Sequence, residues 1–184
     1  MVAFSPRALA ALLGLGFLAV SPPARAADVQ FGPKDVATVF YISKSDDKNR
    51  VDYGIRLDAD CVPVGNSAVF GYWREYEYTP PHINGLSILD RIPYGISSQG
   101  LVSRTATGAD YYMRLRQFER TIAIATKKEA DGTCSAIARA KINGSVAQFV
   151  FVYAKLAGPF SVEYIDIHGK DFATGAAIVE RANK

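Results

Sequence analysis

The residues best equipped for chemistry in this chain are few. There are two histidines, His82 and His168, and two cysteines, Cys61 and Cys134. Asp166 precedes His168 by two residues. On an extended strand that spacing sets both side chains on one face, where a carboxylate orienting an imidazole forms the base half of a hydrolytic triad. The same spacing also describes a polar patch at a strand end. No nucleophile motif accompanies it. Gly95-Ile96-Ser97-Ser98-Gln99-Gly100 fails the G-x-S-x-G spacing of a nucleophile elbow, and a Cys134–His168 pairing competes with a disulfide at Cys134. A zinc site takes three or four His, Cys or carboxylate ligands. Neither H-E-x-x-H nor C-x-x-C occurs. Asp46-Asp47 and Asp58-Ala59-Asp60 lack the D-x-D-x-D-G frame of a calcium loop and read as solvated turns. Neither a metal nor another cofactor is expected.

The richest surface lies in residues 72–78. Alternation along a strand puts Tyr72, Arg74, Tyr76 and Tyr78 on one face and Trp73, Glu75 and Glu77 on the other. Aromatic rings interleaved with Arg can hold a sugar or a peptide by stacking and hydrogen bonding. Tyrosine is also an ordinary strand residue that packs its ring and wets its hydroxyl. Trp73 is the only tryptophan and has the largest apolar area to bury, so it is expected in the core. That leaves Tyr72, Arg74 and Tyr76 as the outward set. Arg91 and Tyr94 become their neighbours if a short helix after the strand folds back. These five residues form the candidate ligand site.

The elements that must position these residues begin after an export signal. Arg7 is followed by an apolar run from Ala8 to Val20, 13 residues long. A membrane span needs about 20. Ser21-Pro22-Pro23 ends the run, and Ala24-Arg25-Ala26 offers small residues where a signal peptidase reads. Residues 1–26 are read as a cleaved signal, cut after Ala26, and residues 27–184 as one exported domain, periplasmic or secreted. Cleavage takes the formal charge from +3 to +1. A near-neutral domain has no electrostatic reason to bind nucleic acid. No later segment is long and apolar enough for a transmembrane helix.

In an oxidising compartment two cysteines pair, so Cys61 and Cys134 are expected to form one disulfide. Loop-entropy models give a bridge over so long a loop roughly 4–5 kcal/mol as an upper figure. Two separate buried thiols are the alternative.

Short strands with turn signals fill the rest. Val51, Tyr53, Ile55 and Leu57 alternate with Arg50, Asp52, Arg56 and Asp58. Tyr111, Met113 and Leu115 alternate with the outward Arg114 and Arg116. Asp131-Gly132 and Asn143-Gly144 predict tight hairpins and hence a meander over 121–129, 133–142 and 145–155. The last of these is apolar on both faces, Val146, Val150 and Val152 against Phe149, Phe151 and Tyr153. Further strands are expected near 37–43, 68–78, 95–103 and 162–168. Leu86, Leu89 and Ile92 predict one short helix between Asn84 and Arg91. The fold class is therefore mostly β: an antiparallel β-sandwich or small barrel with one short helix.

Three stretches carry a resemblance. They are Phe40-Tyr41-Ile42 with Asn49 and Tyr53; Tyr72-Trp73-Arg74-Glu75-Tyr76 with Leu89, Arg91 and Tyr94-Gly95; and Tyr164-Ile165-Asp166-Ile167-His168-Gly169-Lys170-Asp171 with Thr174-Gly175 and Glu180. In order and spacing the chain, over about 36–181, resembles a family of exported bacterial proteins, the domain of unknown function 4833 (DUF4833). The resemblance implies a single exported domain and brings no activity or catalytic residues with it. The Thr79-Pro80-Pro81-His82 loop departs from the pattern. The function expected is a non-enzymatic binding or envelope-interaction module for an envelope component or small ligand. The alternative is a small periplasmic hydrolase using His168 and Asp166.

Overall fold

The structure, a computed structural model, describes residues 36–158 and 161–183. The signal and its cleavage site lie outside the described residues. The chain order is β1 (Val36–Lys44), β2 (Arg50–Arg56), β3 (Val69–Glu75), β4 (His82–Gly85), α1 (Arg91–Tyr94), β5 (Ile96–Thr105), β6 (Gly108–Leu115), β7 (Phe118–Lys128), β8 (Cys134–Ile142), β9 (Ser145–Gly158), β10 (Ser161–Lys170) and β11 (Ala177–Asn183). The expected mostly β domain with one short helix is what forms. All strands belong to one sheet, ordered β4-β3-β2-β1-β9-β8-β7-β6-β5, with β10 joining β9 to β11.

The long strand β9 organises the sheet. β10 lies along one edge of it. The other edge is divided: Ser145–Gln148 pair with β8, and Phe151–Ala154 pair with β1. Two wings therefore part at β9, one running β1-β2-β3-β4 and the other β8-β7-β6-β5. Every pairing is antiparallel except β1 with β9, which is parallel. Where the wings part, β9 carries an extra residue: Phe149 and Phe151 face consecutive residues of β10, leaving Val150 as a bulge. A bulge reverses the alternation downstream of it. Ala147, Phe149 and Val152 consequently face the core, while Phe151 faces away. This corrects the expected division of that strand into a valine face and an aromatic face.

The core fills the space between the wings. Phe40 stacks on Tyr53 at 4.5 Å and meets Phe149 edge-on at 4.9 Å. Tyr111, Met113, Ile122, Ile124 and Ala138 come from the other wing. The predicted Asn143-Gly144 hairpin forms, with φ of 50° and 81°, the left-handed pair that a two-residue turn requires. The expected disulfide also forms. Cys61, in the β2–β3 connection, bonds to Cys134 at the start of β8, with Cα atoms 5.4 Å apart. Thr126 of β7 donates its hydroxyl to the Cys61 carbonyl at 2.6 Å, so a covalent and a polar tie join the wings at one place.

The helix is displaced from its expected position. It occupies Arg91–Tyr94 rather than 84–91, because His82–Gly85 pair with β3. Ser87 and Asp90 then close a local turn through their side chains. Leu89 and Ile92 are exposed, and only Leu86 reaches inward. Its methyl lies 2.9 Å from where a Cβ on Gly71 would stand, so the bare glycine lets Leu86 settle close to β3. Strand β11 carried no sequence expectation.

Candidate functional site

Strand β3 directs its side chains as alternation requires, with a different outcome for solvent. Trp73 turns toward the core and meets Tyr94 edge-on at 5.5 Å. Tyr72 and Arg74 point away from the core, yet they are 3% and 7% exposed. The expectation that they present themselves outward is corrected. The cause is Asp52, which faces Tyr72 across the β2–β3 ladder and is fully buried. Arg74 Nε donates to its Oδ2 at 2.5 Å and Arg50 Nε to its Oδ1 at 2.6 Å. A buried carboxylate needs such partners. The Tyr72 hydroxyl lies 3.2 Å from Thr38 Oγ1. Of the predicted strand face, Tyr76 and Tyr78 are exposed, with Arg50 over the Tyr76 ring at 5.4 Å.

The same outer face continues across the sheet as a stack. Arg50 lies 4.2 Å over Tyr41, Tyr41 stacks on Phe151 at 4.9 Å, and Phe151 stacks on His168 at 4.0 Å. His168 and Asp166 share this face as predicted, but both carboxylate oxygens of Asp166 are held by Arg181 at 2.8 Å. The Arg181 guanidinium, joined by His168, keeps the Asp166 carboxyl below the usual carboxylate range. Arg181 in turn covers Tyr164 at 3.7 Å. Asp166 is thus oriented toward Arg181 rather than toward an imidazole nitrogen.

Arg91 and Tyr94 lie elsewhere, in a cleft of about 470 Å³ where the far ends of the two wings approach each other. Arg56 enters from the end of β2, Phe70 from β3, Arg91 and Tyr94 from α1, and Arg116 from just after β6. Arg56 rests 4.2 Å over the Phe70 ring. Arg91 Nε donates to the Leu86 carbonyl at 3.3 Å. The Arg116 amide donates to the Gly95 carbonyl at 2.8 Å, anchoring the turn that carries it. A Cβ on Gly95 would stand 2.1 Å from the Arg91 carbonyl, so only glycine lets α1 pass directly into β5. Burial raises the Tyr94 hydroxyl above its ordinary pKa, and its carbonyl accepts the Tyr53 hydroxyl at 2.7 Å.

The floor of the cleft is a seam. The sheet does not close between β3 and β5. Instead the Gln99 carboxamide, from β5, bonds the backbone of Val69 on β3 from both ends. Its Oε1 accepts the Val69 N–H at 2.9 Å and its Nε2 donates to the Val69 carbonyl at 3.0 Å. Tyr111 donates to the same Oε1 at 3.0 Å. One side chain stands where a ladder residue would.

The lining contains three arginines and no acid. Among the described residues, none of Arg56, Arg91 and Arg116 has a carboxylate within ion-pair distance. The five predicted site residues thus divide: Arg91 and Tyr94 share the cleft, Tyr72 and Arg74 join the Asp52 cluster, and Tyr76 stands beside Arg50. Arg56, Arg116, Phe70 and Gln99 were not foreseen as site residues. Their signal was present only in part, since Arg56 and Arg116 both occupy outward positions of alternating strands. No group of three or more His, Cys, Asp or Glu side chains suited to a metal occurs among the described residues, and no helix among them is long and apolar enough to cross a membrane.

The family model described as a domain of unknown function, DUF4833, matches residues 40–181 of this chain. No curated protein and no solved structure matches it.

Proposed function

The chain belongs to the DUF4833 family, and we propose that it acts as a non-enzymatic, exported binding module that receives its ligand in the seam cleft. One observation carries this reading. The polar chemistry of the outer face is satisfied internally, Asp52 by two arginines and Asp166 by Arg181. The cleft assembles three charged donors that no carboxylate among the described residues opposes. Its size falls within the range of about 300–1,000 Å³ usual for small-molecule sites, and it combines apolar walls with a few convergent polar groups. Export is supported by the signal-like residues 1–26 and by the disulfide, which belongs to an oxidising compartment.

The hydrolase alternative draws less support. Its carboxylate is engaged by Arg181, and its imidazole lies flat on Phe151. Titration of the domain 27–184 with soluble envelope fragments tests the proposal, read by the fluorescence of Trp73, which touches Tyr94 on the cleft wall. A saturable change that is lost in Arg91→Glu, at unchanged melting temperature, is expected. Ester hydrolysis that vanishes in His168→Ala and persists in Arg91→Glu would establish the enzyme instead.

A further inference from the structure

We infer that the seam cleft selects a small organic anion, a phosphate ester or a carboxylate, and seats its oxyanion among Arg56, Arg91 and Arg116. This rests on the binding reading above and adds the class of ligand. Three lines of observation lead to it.

The first is the state of the donors. Arg91 uses Nε on the Leu86 carbonyl, which fixes the plane of the guanidinium and leaves its terminal nitrogens free. The Arg56 guanidinium lies 4.2 Å over the Phe70 ring and makes no hydrogen bond or ion pair among the described residues. The Arg116 guanidinium makes no hydrogen bond or ion pair among the described residues, while the backbone beneath it is tied to Gly95. Planar guanidinium forks match carboxylate and phosphate oxygens in pairs, which a lysine ammonium does not do. The cleft uses arginine at all three positions.

The second is the distribution of charge. The domain after residue 26 carries a formal charge of only +1, yet three positive charges and no acid line one concave site. Like charges gathered in this way oppose folding, and low-dielectric walls focus their field outward. An anion removes the repulsion and satisfies the donors together. A neutral ligand does neither.

The third is the remaining wall. Phe70, Leu86, Tyr94 and Ile96 provide carbon surface beside the guanidinium groups. An ion that is all charge, such as inorganic phosphate, would leave that surface uncovered. A ligand with an oxyanion at one end and a carbon skeleton at the other covers both. A site built from charge-assisted hydrogen bonds also discriminates strongly against an analogue that lacks the charge.

The test is calorimetric titration of the disulfide-bonded domain 27–184 with glucose-6-phosphate, galacturonate, inorganic phosphate and glucose. Glucose-6-phosphate or galacturonate is expected to bind, and whichever binds more tightly identifies the source of the oxyanion as phosphate or carboxylate. Inorganic phosphate is expected to bind at least about tenfold more weakly than the better of the two, and glucose not at all. Arg91→Gln and Arg116→Gln should each weaken the organic anion by about tenfold or more with no fall in melting temperature. Raising the salt concentration should weaken it further, as screening requires. Glucose binding as tightly as the anions would overturn the anionic class. Affinity for the anions that is unchanged in the Arg91→Gln/Arg116→Gln double variant would overturn the site. Failure of both organic anions to bind would overturn the inference as well. The envelope-fragment titration separates these results from failure of the binding reading, because fragments that still respond through Arg91 preserve the cleft as a site for another ligand.

Discussion

Two sets of arginines divide this molecule. Arg50, Arg74, Arg120 and Arg181 each hold a carboxylate, on Asp52, Glu180 or Asp166. Arg56, Arg91 and Arg116 hold none among the described residues and share one cleft. The paired set sits on the sheet, with Asp52 reached by Arg50 from its own strand and by Arg74 from the neighbouring one, Asp166 by Arg181 of the neighbouring strand, and Glu180 of β11 by Arg120 of β7. Arg74 stands diagonally across from Asp52, and Arg181 directly across from Asp166. The unpaired set sits where register ends, at the last residue of β2, in α1 and after β6. The difference teaches that Arg50, Arg74, Arg120 and Arg181 direct their charge to carboxylates of the fold, whereas Arg56, Arg91 and Arg116, at or just past the ends of their elements, bring theirs to one cleft.

The largest expected effect tests the paired set. Asp52→Asn removes the carboxylate between two arginines and strands the buried Arg74 charge. Breaking a buried pair from one side costs about 3–5 kcal/mol, so chemical denaturation of Asp52→Asn should show a loss of that size. A variant of wild-type stability would mean that Arg74 is not held by this pairing. The comparison would then collapse.

A smaller effect concerns Glu180. Hydrogen bonding from Arg120, opposed by desolvation and reinforced by the Asn143 N–H and the Arg120 charge, holds its carboxyl down at about 2. A carboxyl whose folded pKa is depressed contributes stability above its ordinary pKa of 4.5 and loses it as pH falls toward about 2. With solvent screening allowed for, roughly 1–2 kcal/mol should disappear across that window. Glu180→Gln should flatten this part of the profile. Equal acid sensitivity in both proteins would place the acid-labile charge elsewhere.

The smallest expected effect tests the unpaired set. Arg56→Gln breaks no ion pair, and an exposed substitution of this kind stays within about 0.5 kcal/mol. It keeps much of the long side chain over Phe70. A melting temperature lowered by several degrees would show that Arg56 stabilises the fold and would blur the division between the two sets.

The sequence made the strands legible wherever period and turn chemistry agreed. The segment at 50–56 and the Asn143-Gly144 hairpin followed from local signals, and the Cys61–Cys134 bridge from the cysteine count in an expected oxidising compartment. Two features did not. The bulge at Val150 reverses the facing of Phe151 and Val152, and in a segment apolar on both faces no alternation reveals it. The helix begins at Arg91, about two turns beyond Asn84, because Leu86 and Leu89 mimic helical spacing while pairing with β3 claims His82–Gly85. The site was half legible for a topological reason. Arg91 and Tyr94 are close in sequence to the aromatic strand, but Arg56 and Arg116 reach the same cleft only because the wings part at β9 and meet again at Gln99. The burial of Arg74 likewise depended on the register that brings Asp52 beside it.

That meeting at Gln99 has a mechanical consequence. Each wing is sewn to β9 by a run of backbone bonds, and such a seam opens only by unzipping. At Val69 the stitch is a single carboxamide making two hydrogen bonds to one residue. Releasing it gives up only about 1–3 kcal/mol net, less than parting any full strand pair. The floor of the cleft therefore rests on side-chain bonds, those of Gln99 and of Tyr111 to Asn66, where the rest of the sheet rests on ladders.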